Sequence, residues 1–153
     1  MGVLVGLVIA AAVVVALSAW RKGTKPAIDP AIAAAFLDRN RGAQGVTQTA
    51  SGVQYSVLSA GDGAKPTPSD TVRIAYIGRL TDGTVFDRSA KPVDFGVSDV
   101  VPGFSEALQL MPVGARYRVW IPPTLGYGAR GAGPIPGNAV LVFDIELLAV
   151  NPK

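Results

Sequence analysis

Hydrophobic residues fall along this chain in three successive patterns. The first is an unbroken run, Val3 to Trp20, of 18 residues without a charge. At roughly 1.5 Å per residue it would measure about 27 Å as a helix, which predicts a transmembrane helix through residues 3–20. Trp20 followed by Arg21 and Lys22 fits an interfacial boundary with snorkelling cations. A cleaved signal peptide is the alternative. Against it, no Lys or Arg precedes the run, and the small-residue cleavage candidates, Ser18 and Ala19, sit beside a bulky Trp. The second pattern is helical and short. Asp29-Pro30 supplies an N-cap and a proline for the first turn, Asn40 to Gly42 supplies a stop, and Ile32 and Phe36 at i, i+4 form a narrow stripe that would dock on the domain or on a second subunit. Gly42 to Gly52, rich in Gly, Gln, Thr and Ser, reads as a linker.

From Val53 onward the period is two, as half-buried strands require. In Ala139 to Val150, Leu141, Phe143, Ile145 and Leu147 alternate with Val142, Asp144 and Glu146, giving one core face and one wetter face. Similar runs lie at Val53–Leu58, Thr71–Leu80, Thr84–Asp87, Pro92–Val97 and Ala115–Ile121, with a hairpin signal at Asp82-Gly83. Helical spacing recurs only around Ser105 to Gln109, where Val101, Phe104 and Leu108 fall at i, i+3, i+7. The expected fold is α+β: an antiparallel five- to six-stranded half-barrel wrapped around one short helix, preceded by the transmembrane helix and the linker helix. The expected division is an anchor with a basic flank over 1–25, a short helix and linker over 26–50, and the folded domain over 51–153.

Composition narrows the chemistry. With no Cys and no His among 153 residues, thiol nucleophiles, His general bases, disulfides and nitrogen or sulfur zinc sites are excluded, and neither metal nor cofactor is expected. The net charge of +3 equals the three cations Arg21, Lys22 and Lys25, so the chain from Pro26 onward is formally neutral and no nucleic-acid partner is expected. Gly126-Tyr127-Gly128-Ala129-Arg130-Gly131 matches G-x-G-x-x-G. The Gly133-Pro134-Ile135-Pro136-Gly137 that follows cannot open the helix a dinucleotide site needs, so a cleft-rimming loop is the better reading. Among the acids, Asp82 belongs to a turn, Asp94 alternates out of its strand and Asp99 lies near a helix start. Asp87, next to Phe86 in a strand, is the one expected to be partly buried.

Tyr76, Asp82-Gly83-Thr84-Val85-Phe86-Asp87, Val100-Val101-Pro102-Gly103-Phe104, Gly126-Tyr127-Gly128 and Leu141-Val142-Phe143-Asp144 occur in that order. Over about residues 51 to 150 this series resembles the FKBP-type peptidyl-prolyl cis-trans isomerases, the tacrolimus-binding immunophilins. Ser51 to Tyr55 and Ala107 to Pro112 are most similar to the bacterial macrophage-infectivity-potentiator branch, whose members usually carry a helical N-terminal extension.

The resemblance implies a peptidyl-prolyl isomerase. Asp87, Tyr127 and Phe143 would be its catalytic groups, and Tyr76, Phe86, Phe95, Val100, Val101, Phe104 and Ile135 would bind substrate. It departs from the family at Phe104, where Trp is usual, and at Val93, where an aromatic is common. The implied partners are proline-containing polypeptides and a macrolide inhibitor of the tacrolimus type. The implied location is the bacterial periplasm, whereas the cations after residue 20 favour the cytoplasmic face. Two other readings stand beside the enzyme: a non-catalytic proline-recognising chaperone or adaptor, and a scaffold that forms a homodimer through the 28–40 helix or the apolar span.

Overall fold

The computed structural model describes residues 25–153. The first element, α1 (Pro30–Arg41), begins where the sequence predicts: the Asp29 carboxylate accepts from the Ala31 N–H at 2.9 Å, and Pro30 opens the first turn. Then come β1 (Thr47–Gln48), β2 (Gln54–Ser59), β3 (Thr71–Arg79), β4 (Val85–Arg88), β5 (Val93–Gly96), α2 (Pro102–Leu110), β6 (Arg116–Ile121) and β7 (Leu141–Val150).

All seven strands among the described residues form one antiparallel sheet. Its order is β1-β2-β6-β7-β3-β4, and β5 pairs with the other end of the β3 edge that β4 occupies. β7, the longest strand, runs between β3 and β6, with Ile77 and Arg118 both opposite Asp144. The alternation along β7 separates the two faces: Leu141, Phe143, Ile145 and Leu147 are buried, while Glu146 is exposed. Across the buried face lies α2, which turns Phe104, Ala107 and Leu108 inward until each is fully buried. Its approach to β6 is close enough that a methyl group on Gly103 would overlap the Ile121 side chain.

Three expectations need correction. The fold is an antiparallel sheet of seven strands with two helices among the described residues, rather than five or six strands behind a transmembrane helix. No helix among those residues is long and apolar enough to cross a membrane. The expected span, 3–20, lies outside the described residues. The supposed linker carries β1, which extends the sheet beyond β2, and its Thr49 and Ser51 hydroxyls both donate to the Glu106 carboxylate on α2. Finally, Ile32 and Phe36 do not dock together as a stripe on the domain. Ile32 is 63% exposed, Ala33 is the residue that α1 buries, and Phe36 borders a groove with Leu80, Trp120 and Val142 on the outer face of the sheet.

The contact that fixes α1 is polar. Gln54 is fully buried, accepts from Asn40 Nδ2 at 2.8 Å and donates to the Leu37 carbonyl at 2.8 Å and to Gln48 Oε1 at 2.9 Å. Satisfying a buried amide from the helix end and from β1 at once makes this docking specific, because the same amide left unbonded would cost about 1–3 kcal/mol.

Candidate active site

At the centre of the concave face is a cluster of aromatic rings. Phe104 and Phe143 meet edge to face, with centroids 4.8 Å apart and planes at 85°. Tyr76 lies 6.0 Å from Phe104 and 6.2 Å from Phe143, Phe95 lies 5.9 Å from Tyr76, and Phe86 stands edge-on to Phe143 at 5.6 Å. Such pairings suit the ring quadrupoles and contribute about 0.5–1.5 kcal/mol each beyond area burial. Phe95 and Phe104 are fully buried, Tyr76 and Phe143 nearly so, and Phe86 is half-buried, so the cluster is a floor with an open edge.

Each ring reaches that floor for a local reason. Phe143 sits on the inward period of β7, opposite Gly78 of β3. Phe86 comes from β4, whose register against β3 slips between Gly78 and Arg79. Gly78 is the functional position that sequence reasoning missed. A Cβ there would stand 2.7 Å from Phe143 and 2.8 Å from Phe86, so only glycine lets those two rings meet above β3. A glycine inside an otherwise regular strand was the available signal. Phe104 is delivered by the first turn of α2, which Pro102 opens just after the 3-10 turn Val97–Asp99.

Polar groups ring the floor. The Tyr76 hydroxyl donates to Asp87 Oδ2 at 2.7 Å, and Ser89 Oγ accepts from the Tyr76 N–H at 2.9 Å, holding the strand that carries Tyr76. Burial raises the Asp87 carboxyl above the ordinary aspartate range, although the hydrogen bonds from Tyr76 and the Arg88 backbone pull the other way. Burial, followed by the hydrogen bond to Asp87 and its charge, lifts the Tyr76 hydroxyl far above the ordinary tyrosine range. The Tyr127 hydroxyl is pushed up to about 12, by burial first and then by the Asp87 charge. Asp87 and both tyrosines therefore share one electrostatic neighbourhood, and both hydroxyls keep their protons at neutral pH.

Two donors of the expected site are left without an acceptor. Among the described residues neither the Val101 N–H nor the Tyr127 hydroxyl makes a hydrogen bond within the protein. Val100, Val101 and Tyr127 are half-buried and pack against the core, as does the nearly buried Ile135. Phe86, Asp87, Phe95, Phe104, Phe143 and Tyr76 are thus linked by direct ring or hydrogen-bond contacts. Val100, Val101, Tyr127 and Ile135 join them through the same core. Val93 is half-buried on β5, opposite Ile74. The other acids lie elsewhere: Asp82 accepts from the Thr84 N–H at 2.9 Å in its turn, and Asp94 is paired with Arg73 at 2.9 Å. The glycine motif leads into a loop whose Ala132 and Ile135 form an isolated bridge, with no helix to receive a pyrophosphate.

Residues 62–148 match the profile of the FKBP-type peptidyl-prolyl cis-trans isomerase family. The chain belongs to that family. It is 50% identical over 119 residues to an FKBP-type peptidyl-prolyl cis-trans isomerase FkpA of Aeromonas hydrophila, covering 76% of this chain and 44% of the relative. It is 49% identical over 121 residues to the outer membrane protein MIP of Legionella longbeachae, covering 76% and 52%. The chain thus spans about half the length of these curated relatives. Among solved structures, a peptidyl-prolyl cis-trans isomerase of Pseudomonas syringae pv. tomato superposes with a TM-score of 0.77 at 40% identity, covering 79% of this chain and 92% of that one. The FKBP-type fold accounts for the sheet order, the single helix across the concave face and the aromatic floor between them.

Proposed function

We propose that the chain is a peptidyl-prolyl cis-trans isomerase that acts on X-Pro bonds in polypeptides. The observation that carries this reading is the convergence of Tyr127, Asp87 and Tyr76 at the edge of an aromatic floor. Family membership supports it independently.

Rotating a prolyl bond requires loss of amide resonance against a barrier of about 18–20 kcal/mol, and no bond to a nucleophile need form. A chain with neither His nor Cys is therefore not handicapped for this reaction. The twisted amide is less polar than the planar one, so a dry surface of Phe86, Phe104 and Phe143 favours it over the ground state. The Val101 N–H and Tyr127 hydroxyl hold the peptide carbonyls on either side of the proline, while Asp87 and Tyr76 shape the polar edge. Tyr127 serves as a donor throughout the neutral range because its hydroxyl titrates only near 12.

The test is isomerisation of a proline tetrapeptide. Asp87→Ala and Phe143→Ala should each lower the rate by at least about tenfold, or about 1.4 kcal/mol of barrier. Folded variants with undiminished rates would remove these residues from the mechanism. A proline-recognising chaperone or adaptor is the second reading, favoured by Phe104 and Val93 at positions where larger aromatics are usual in the family. Peptide binding without turnover selects it. Inhibition by a tacrolimus-type macrolide tests the same floor. The name of the Legionella relative, an outer membrane protein, supports a periplasmic location; a reporter fused after Lys153 tests it.

A further inference from the structure

The segment before α1 does not lead away from the domain. Ile28 donates its N–H to the Gly137 carbonyl at 2.8 Å, and Asn138 Nδ2 donates back to the Ile28 carbonyl at 2.9 Å. Asn138 itself adopts a left-handed conformation, φ 62°, and its own N–H donates to the Gly128 carbonyl at 2.8 Å, closing the loop that begins after Tyr127. Ile28 is half-buried against the core. Residues 25–29 are therefore a strap tied along the loop that carries Tyr127 and Ile135.

Between strap and loop runs a groove of about 260 Å³. Lys25 and Ala27 line one side, and Arg130, Gly131, Ile135 and Pro136 line the other. Ile135 lines this groove and also packs in the core cluster that holds Phe104 and Phe143. No acidic side chain lines it. Both cations are exposed and neither forms an ion pair among the described residues; the acid whose carboxyl feels the charge of Lys25 is Asp82, at the β3–β4 turn.

We propose that the strap and the loop form an accessory subsite that receives an acidic side chain one or two residues from the proline of an extended peptide. The inference rests on the reading of the aromatic floor as the proline site. In this proposal Ile135, common to the groove and to the core that holds the floor rings, is the link between the two, an extended chain advancing about 3.3–3.6 Å per residue. Glycine-rich backbone on the loop side leaves space for that residue, and Lys25 and Arg130 supply the matching charge from opposite walls.

The experiment compares proline peptides that differ only in carrying Glu, Gln or Lys within two residues of the proline, using the full chain. The Glu peptide should exceed the Lys peptide in kcat/KM by about fivefold at low salt, as expected for two solvent-exposed charge contacts. The difference should lie in KM and should shrink at about 0.5 M salt as screening shortens the reach of both cations. The K25E/R130E variant should invert the Glu-to-Lys ratio. Asn138→Gly keeps the left-handed backbone but releases the strap, and should reduce the ratio. Equal kcat/KM for all three peptides in the unaltered protein overturns the subsite and leaves the isomerase reading standing. If no peptide is turned over, the isomerase reading fails instead, and calorimetric binding of the Glu and Lys peptides decides the subsite: tighter binding of Glu supports it, while equal or absent binding overturns it.

Discussion

The two faces of strand β7 make opposite use of neighbouring residues. Phe143 turns inward, edge to face with Phe104 and Phe86 and tilted against Tyr76, where Asp87 is the acid beside the rings and, among the described residues, has only a tyrosine hydroxyl as side-chain partner. Asp144, the next residue, turns outward. Arg118 donates to both its oxygens, at 2.7 and 3.0 Å, and Arg79 approaches at 3.5 Å. Asp144 is held below the ordinary aspartate range by its hydrogen bonds from Arg118, despite some burial, whereas burial drives Asp87 above it. The convex face thus neutralises its carboxylate to hold strands β3, β6 and β7 together. The concave face keeps one imperfectly compensated beside an apolar floor, an arrangement suited to recognising a polar peptide over a dry surface.

The contrast breaks most visibly at Phe104. Truncation to Ala should cost about 3–5 kcal/mol, because a fully buried ring would leave a cavity beneath α2. Denaturant unfolding measures this, and a loss below about 1 kcal/mol would mean that the floor is not part of the core. A smaller effect is expected at Gly78. Gly78→Ala should destabilise by about 1–3 kcal/mol through overpacking against Phe86 and Phe143. It should also lower isomerisation by more than the unfolded fraction explains, since it separates two floor rings.

The smallest effect belongs to the convex face, where Asp144→Asn should cost about 1 kcal/mol at pH 7 and leave isomerisation unchanged. Its sign with pH is fixed. The folded carboxyl titrates below the ordinary value of 3.8, so its contribution is present above that value and lost as pH falls through the lower, folded one. In the Asn variant that part of the acid destabilisation should be missing from urea midpoints measured between about pH 5 and 2. Equal acid sensitivity in both proteins would show that the ion pair adds no net stability.

Much of the fold was legible because it rests on local periodicity. The inward set Leu141, Phe143, Ile145 and Leu147 follows from alternation, and α1 begins where Asp29-Pro30 places it. β1 was not legible, because two exposed polar residues, Thr47 and Gln48, have no pattern of their own and become a strand only by pairing with Tyr55 and Gln54. Gln54 likewise looked like an ordinary strand residue, and its complete burial depends on Asn40, Leu37 and Gln48 arriving from two other elements.

The sequence by itself determined the alternation that sorts β7 into an apolar and a charged face, the cap that starts α1, and the exclusion of His and Cys chemistry. Each depends only on residue type and on neighbours a few positions away. The tertiary structure alone decided that Gly78 makes room for Phe86 against Phe143, that Ile32 faces solvent while Gln54 does not, and that residues 25–29 lie along the Tyr127 loop. Those outcomes depend on contacts between residues tens of positions apart, where the identity of a side chain fixes what it can do but not what it meets.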